Sequence, residues 1–247
     1  MRNVFRAVIA ASALFVVVQL GACSKEAPEP ATGNTDEASV GTTSEFVWLS
    51  QGTPAGESTV IRTGDGKETV ESFVHWNNRE YTVNSELQLN ADGIPVAQRI
   101  TGISPFGATI DESFAYENGV ASWSTAGESG SVTTDDPGFY LPTEFGSLGV
   151  TTLVQAALKN IDGELAMLPS GTARVEELTT ADVDTPDGSQ TLSLYSIAGL
   201  GFTPTYAWFD ENMEVAVLDF GGFMGMYLSL IHISEPTRHT SQSLIPA

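Results

Sequence analysis

Three histidines, one cysteine and a short acidic run are the side chains from which this 247-residue chain would build reactive chemistry. Two of the histidines, His232 and His239, lie in a C-terminal stretch that does not read like the rest. His75 is therefore the one imidazole in the main body. A Ser-His-Asp triad would have to use it. The Gly-x-Ser-x-Gly turn that exposes such a serine does not occur, since Gly127-Glu128-Ser129-Gly130 has the wrong spacing. Zinc needs three or four nitrogen, sulfur or carboxylate ligands, and neither His-x-His nor His-Glu-x-x-His is present. His75 sits in an alternating stretch, residues 69–76, which points to a structural or solvent-facing side chain. No catalytic residue and no metal ligand is assigned.

Asp182, Asp184 and Asp187 before Gly188 have some of the spacing of a calcium loop. Such a loop wants acids at positions 1, 3 and 5, glycine at 6 and glutamate at 12. The third acid and the glycine come one place late, and Ser193 stands where the glutamate belongs. An acidic turn fits better. Gly199-Leu200-Gly201 is not a nucleotide loop, because Pro204 replaces the third glycine and no helix follows. Phe46, Trp48, Trp76, Trp123, Tyr206 and Trp208 would either line a ligand cavity or fill a core. Their alternating strand positions favour the core.

The cysteine is better placed. Arg2 and Arg6 precede an apolar run over residues 7–20, then Gly21, Ala22 and Cys23. The run is too short to span a bilayer, which takes about twenty residues, and reads as a secretory signal over residues 1–22. Leu20-Gly21-Ala22-Cys23 resembles the bacterial lipobox, which implies acylation of Cys23 as the mature N-terminus. A lone cysteine cannot form an intrachain disulfide, so the usual reason for one in a secreted protein is missing. Each buried acyl CH₂ contributes about 0.8 kcal/mol, enough in multiples to hold the protein on a membrane. Ser24 after the cysteine implies sorting to the outer membrane. The expected location is the bacterial envelope, with the membrane as a partner through the lipid.

Residues 228–238 read Leu-Ser-Leu-Ile-His-Ile-Ser-Glu-Pro-Thr-Arg, which resembles the translation of a transposase-type sequencing adapter. The expectation is a tail foreign to the protein over residues 228–247, excluded from fold reasoning, with the native chain cut after Tyr227. Removing signal and tail takes Lys plus Arg from 10 to 7 and Asp plus Glu from 31 to 30, a net charge of −23. Such a surface repels phosphate backbones, and nucleic acid is excluded as a partner.

The elements that position these residues are mostly strands. Residues 23–44 are rich in Pro, Glu, Ala and Thr and form a tether. Residues 45–227 suffice for one domain with a sizeable core. Tyr81, Val83, Leu87 and Leu89 share one face, and Thr82, Asn84, Glu86, Gln88 and Asn90 the other, as in an antiparallel sheet wet on one side. Asp65-Gly66, Asp92-Gly93 and Asp187-Gly188 mark turns. Asn118-Gly119 predicts a hairpin that sets Tyr116 opposite Ala121 and Phe114 opposite Trp123. A further hairpin at Glu211-Asn212 would set Trp208 against Val215 and Tyr206 against Val217. Val150, Leu153, Val154, Ala157, Leu158 and Ile161 recur at helical spacing, with Thr151, Thr152, Gln155 and Lys159 opposite. Ser147 would cap this helix and Gly163 end it. The fold class is mainly β with minor α, a curved antiparallel sheet or partial barrel whose concave face is covered by one amphipathic helix.

Ala198-Gly-Leu-Gly-Phe-Thr-Pro-Thr-Tyr-Ala-Trp-Phe-Asp210, with Pro54-Ala55-Gly56-Glu57, Asp111-Glu112-Ser113-Phe114, Ala121-Ser122-Trp123 and Leu168-Pro169-Ser170-Gly171, carries a family resemblance. Over residues 46–227 the chain resembles the N-terminal β-domain ahead of the barrel in secreted amidohydrolase-superfamily proteins. The resemblance implies hydrolysis of C–N bonds by metal-activated water in a longer parent, with a divalent cation such as zinc in the barrel. That barrel would be a C-terminal partner of this module. Its His-x-His and later ligands have no counterpart here, so no cofactor is assigned to this chain. The alternative is a self-contained envelope lipoprotein whose sheet and helix enclose an apolar ligand.

Overall fold

The computed structural model describes residues 41–135, 137–143, 148–185, 188–219 and 224–229. The signal segment, Cys23, Ser147, Asp187 and nearly all of the adapter-like tail lie outside them. Period-two alternation dominates. Strands β1 (Thr42–Ser50), β2 (Thr53–Arg62), β3 (Lys67–Trp76), β4 (Arg79–Leu89), β5 (Pro95–Ile103), β6 (Thr109–Glu117), β7 (Val120–Ser124) and β8 (Ser129–Thr133) form one antiparallel meander. A second half follows. It holds β9 (Phe139–Tyr140), helix α1 (Gly149–Ala157), β10 (Glu164–Leu168), β11 (Thr172–Thr185), β12 (Gly188–Ala198), β13 (Thr205–Phe209), β14 (Val215–Asp219) and β15 (Met224–Leu228).

The halves join where the ends of the domain meet. β15 pairs antiparallel with β1, from Phe46 opposite Leu228 to Ser50 opposite Met224. The result is one curved, unclosed sheet in the order 8-7-6-5-4-3-2-1-15-14-13-12-11-10-9. Every neighbouring pair is antiparallel except β9 and β10, which α1 connects as a parallel crossover. β1 takes in Thr42–Ser44 of the expected tether, and β15 ends on Leu228, first residue of the adapter-like string.

Alternation decides what the concave face holds. Phe46 and Trp48 of β1, Val60 of β2, Val70 of β3, Tyr81 and Val83 of β4, Ile100 of β5, Ile197 of β12, Phe209 of β13 and Met226 of β15 form one core with Leu153 and Val154 of α1. The convex face of β12–β15 carries a second cluster. There Leu194 lies opposite Trp208, Trp208 opposite Val217 and Val217 opposite Tyr227. Ala181 and Val183 pack against this row. They come from the long β11–β12 arm, beyond a register shift at Glu177/Thr179.

Four hairpins use the same five-residue turn, at residues 63–67, 90–94, 104–108 and 210–214. In each, the first N–H donates to the fifth carbonyl and the fourth N–H to the first carbonyl. The fourth residue is left-handed: Gly66, Gly93 and Gly107, but Met213 in the last, at φ 60°. In three of them the side-chain oxygen of Asn90, Ser104 or Asp210 accepts the third and fifth N–H groups.

That turn corrects the expected register after Trp208. A two-residue loop at Glu211-Asn212 would set Trp208 against Val215. The longer loop instead pairs Phe209 with Val215, and a shift at Trp208/Phe209 places Trp208 opposite Val217 and Tyr206 opposite Asp219. The Asn118-Gly119 hairpin has the expected register, with Tyr116 opposite Ala121 and Phe114 opposite Trp123. Both central residues take positive φ, 53° and 77°.

The helix differs from its expected form too. It ends at Ala157, Leu158 is exposed, and Ile161 stands fully in solvent beyond the last turn. Leu148 occupies the N-cap position without a side-chain cap. Thr151 and Thr152, expected on a wet face, are buried. Enclosure by the curved sheet is the reason, since it leaves α1 almost no free side. Leu153→Ala should therefore cost about 2–5 kcal/mol in urea unfolding, whereas Ile161→Ala should stay within ~0.5 kcal/mol of the parent.

Candidate functional site

Strand direction gathers a set of polar groups at one end of the sheet. β2, β4, β13 and β15 all run toward it, so the turns at 63–67, 90–94 and 210–214 lie together with the start of β1. Helix α1 seals this end with its C-terminal half. Gln155 donates Nε2–H to the Met213 carbonyl at 2.8 Å, and Lys159 donates from Nζ to the Asp92 carbonyl at 2.8 Å. The helix and the turn that follows it thus hold a turn from each half of the sheet.

Beside it lies an ionic triad. Arg62, last residue of β2, donates Nε–H to Glu68 of β3 and Nη1–H to Glu214, both at 2.6 Å. Glu214 closes the turn into β14, so the guanidinium reaches past β1 and β15 to bind a turn of the other half of the sheet. Glu68 is almost fully buried, and its Oε1 has no hydrogen-bond partner. Burial raises the Glu68 carboxyl above its ordinary value despite Arg62. Glu214 is raised for the same first reason, with Asp210 adding to it.

Further along the concave face the polar groups answer one another. Trp48 donates Nε1–H to Ser58 Oγ at 2.7 Å, and Ser58 shares a 2.6 Å hydrogen bond with Ser72. Gln98 Nε2 lies 3.4 Å from Ser85 Oγ. At the far side, Glu112 of β6 accepts the Tyr140 hydroxyl at 2.6 Å and both the N–H and Oγ–H of Thr143. Burial and then the Glu112 carboxylate push the Tyr140 hydroxyl well above its usual value, so it remains a donor. The Tyr140 ring stacks on Phe114, centroids 4.6 Å apart. This clasp holds the short β9 against the inner face of β6. Among the described residues, the side-chain atoms Gln98 Oε1 and Thr151 Oγ1 are likewise buried without a hydrogen-bond partner.

The residues singled out by sequence do not converge. His75 lies exposed on β3 opposite Glu80. Asp182 and Asp184 alternate along the exposed arm, where Asp182 accepts the Thr191 hydroxyl at 2.7 Å. The aromatics divide among three clusters. Phe46, Trp48 and Trp76 pack in the main core, Trp123 beside Phe114 and Tyr140, and Tyr206 and Trp208 on the convex face. Gly199-Leu200-Gly201 opens the loop into strand β13. Among the described residues no three His, Cys, Asp or Glu side chains are grouped to hold a metal ion. Sequence reasoning missed Arg62, Glu68, Glu112, Tyr140 and Glu214. The one available signal was a carboxylate at an inward strand position, at Glu68 and at Glu112.

Comparison with known protein families, with curated proteins and with solved structures finds no match.

The triad generates a pH dependence. A carboxyl whose folded value is raised keeps its proton where the unfolded chain has lost it, so stability falls as pH rises through the folded value. Lowering pH from 7 to 5 should therefore raise the melting temperature. Relief of the net charge of −21 acts in the same direction. Glu214→Gln leaves Arg62 to Glu68 alone and should flatten the rise; thermal melts across that range read the difference.

Proposed function

We propose that this chain is the accessory β-module of a lipid-anchored envelope protein, whose full-length parent is an amidohydrolase-like hydrolase. The module itself holds and spaces and does not turn over substrate. One observation carries this reading. β1 and β15 lie side by side and antiparallel, with Val47 opposite Tyr227 and Trp48 opposite Met226, so β15 ends beside the start of β1. The chain leading from Cys23 and the chain beyond β15 therefore leave from the same end of the sheet. A module so connected stands beside the path from lipid to catalytic domain and leaves that path short. The concave face adds support, because its charged and polar side chains are largely spent on one another and large side chains such as Trp48, Phe46 and Phe209 fill the space between.

A self-contained binder, the second reading, is favoured by the buried partnerless atoms Glu68 Oε1, Gln98 Oε1 and Thr151 Oγ1. Glu68 and Gln98 lie in one cross-strand row, on either side of Leu87. Sequencing the locus past the codon for Tyr227 separates the readings. A barrel-sized extension with His-x-His supports the module, and an early stop codon supports the binder.

Two outcomes are expected of the chain itself. Purified protein should bind no stoichiometric zinc and hydrolyse no amide; one tightly bound zinc per chain by metal analysis contradicts the reading. In a bacterial host, Cys23→Ser should abolish incorporation of labelled palmitate and release the protein from the membrane fraction.

A further inference from the structure

The unclosed sheet has two edges, and they are treated differently. β9 is two residues long and is clasped from the inside through Tyr140, Phe114 and Glu112. β8 is the last strand on the other side and lies at the end of the sheet order. Its sequence, Ser129-Gly130-Ser131-Val132-Thr133, contains no charge and no proline, and its pairing with β7 runs without a bulge. Those are the devices that ordinarily keep an edge from taking up another strand.

The direction of the free backbone groups follows from the pairing. Thr134 N–H donates to the Gly119 carbonyl at 2.9 Å, and Thr125 N–H to the Glu128 carbonyl at 2.7 Å. Antiparallel pairs alternate between bonded and non-bonded, so the bonded pairs between these limits are Ala121 with Val132 and Trp123 with Gly130. Ser129, Ser131 and Thr133 must then turn their N–H and C=O groups away from β7. All three residues are exposed. The strand is also held in place: the Trp123 indole lies across Gly130, where an added Cβ would come within 2.5 Å of it. Val132 packs beside Phe114 and Tyr140.

We propose that the β8 edge is a docking site for an extended peptide that adds a strand to the sheet, with basic residues flanking a short uncharged stretch. Main-chain hydrogen bonds to Ser129, Ser131 and Thr133 supply the register. Charge selects the flanks, since exposed Glu128 and Asp135 bracket the strand. The same charges disfavour a second copy of the chain. Antiparallel pairing of two β8 strands about Ser131 brings Glu128 of each copy toward Asp135 of the other, between molecules that each carry −21.

The test uses the full chain and a fluorescein-labelled peptide of alternating Thr, Val and Ser with a Lys at each end. Fluorescence anisotropy should show saturable binding that weakens with salt and is absent for the Glu-flanked version. Ser131→Pro removes one outward N–H at a position where edge strands tolerate proline. It should weaken binding at least tenfold while leaving the melting temperature within a few degrees. Should that variant fail to fold, a probe N-methylated at alternate residues tests the same hydrogen bonds on the parent chain and should not bind. Unchanged affinity with Ser131→Pro or with the methylated probe overturns the proposal. So does an absence of saturable binding, or a dimer that Ser131→Pro dissociates.

Discussion

The architecture rests on the pairing of the first strand of the domain with its last. Without the β1–β15 ladder the chain would be two separate meanders, each with two open edges and an apolar face to hide. Closing a loop of some 170 residues costs on the order of 5 kcal/mol in chain entropy. Phe46, Trp48, Met224 and Met226, brought together by that ladder, each contribute about 1.5–3 kcal/mol on burial, enough to outweigh it. Hydrogen bonds then fix the register, and the register decides which side chains face inward.

From that seam the other long-range ties follow. Arg62 can reach Glu214 only because β2 and β14 stand on either side of the paired strands. Helix α1 and the turn after it can hold the Met213 and Asp92 carbonyls together only because both turns arrive at one end. A buried carboxylate that shares its guanidinium is a costly choice compared with an apolar contact. What it does here is specify geometry, pinning the β13–β14 turn against β2 and β3. The Glu112–Tyr140–Thr143 clasp does the same at the β9 edge. One edge is thereby built into the interior while β8 ends the sheet among the described residues, an asymmetry on which the proposed peptide docking depends.

How far the sequence could be read depended on how local each determinant was. The Asn118-Gly119 hairpin was legible because its two turn residues accept positive φ without help from elsewhere. The turn at 210–214 was not, because Met213 holds a left-handed backbone while α1 binds its carbonyl and Tyr195 approaches its sulfur. Inward and outward positions of β4 were plain from Tyr81, Val83 and Leu87. The burial of Thr151 and Thr152 was not, since helical spacing reports a helix's own pattern and not how deeply a curved sheet encloses it. The polar interior was least visible. Arg62 and Glu214 lie 152 positions apart, and no short-range spacing joins them. Lipidation at Cys23 and the link to a larger hydrolase rest on sequence alone and stand as proposals.

Native-state hydrogen exchange tests the central claim most directly. If the β1–β15 seam holds the two halves as one cooperative unit, the ladder amides of residues 46–50 and 224–228 should be among the slowest to exchange. They should open only in the global unfolding that also releases the β3–β4 ladder. Fast exchange along β1 and β15, with β3–β4 and β12–β13 protected independently of each other, would contradict it.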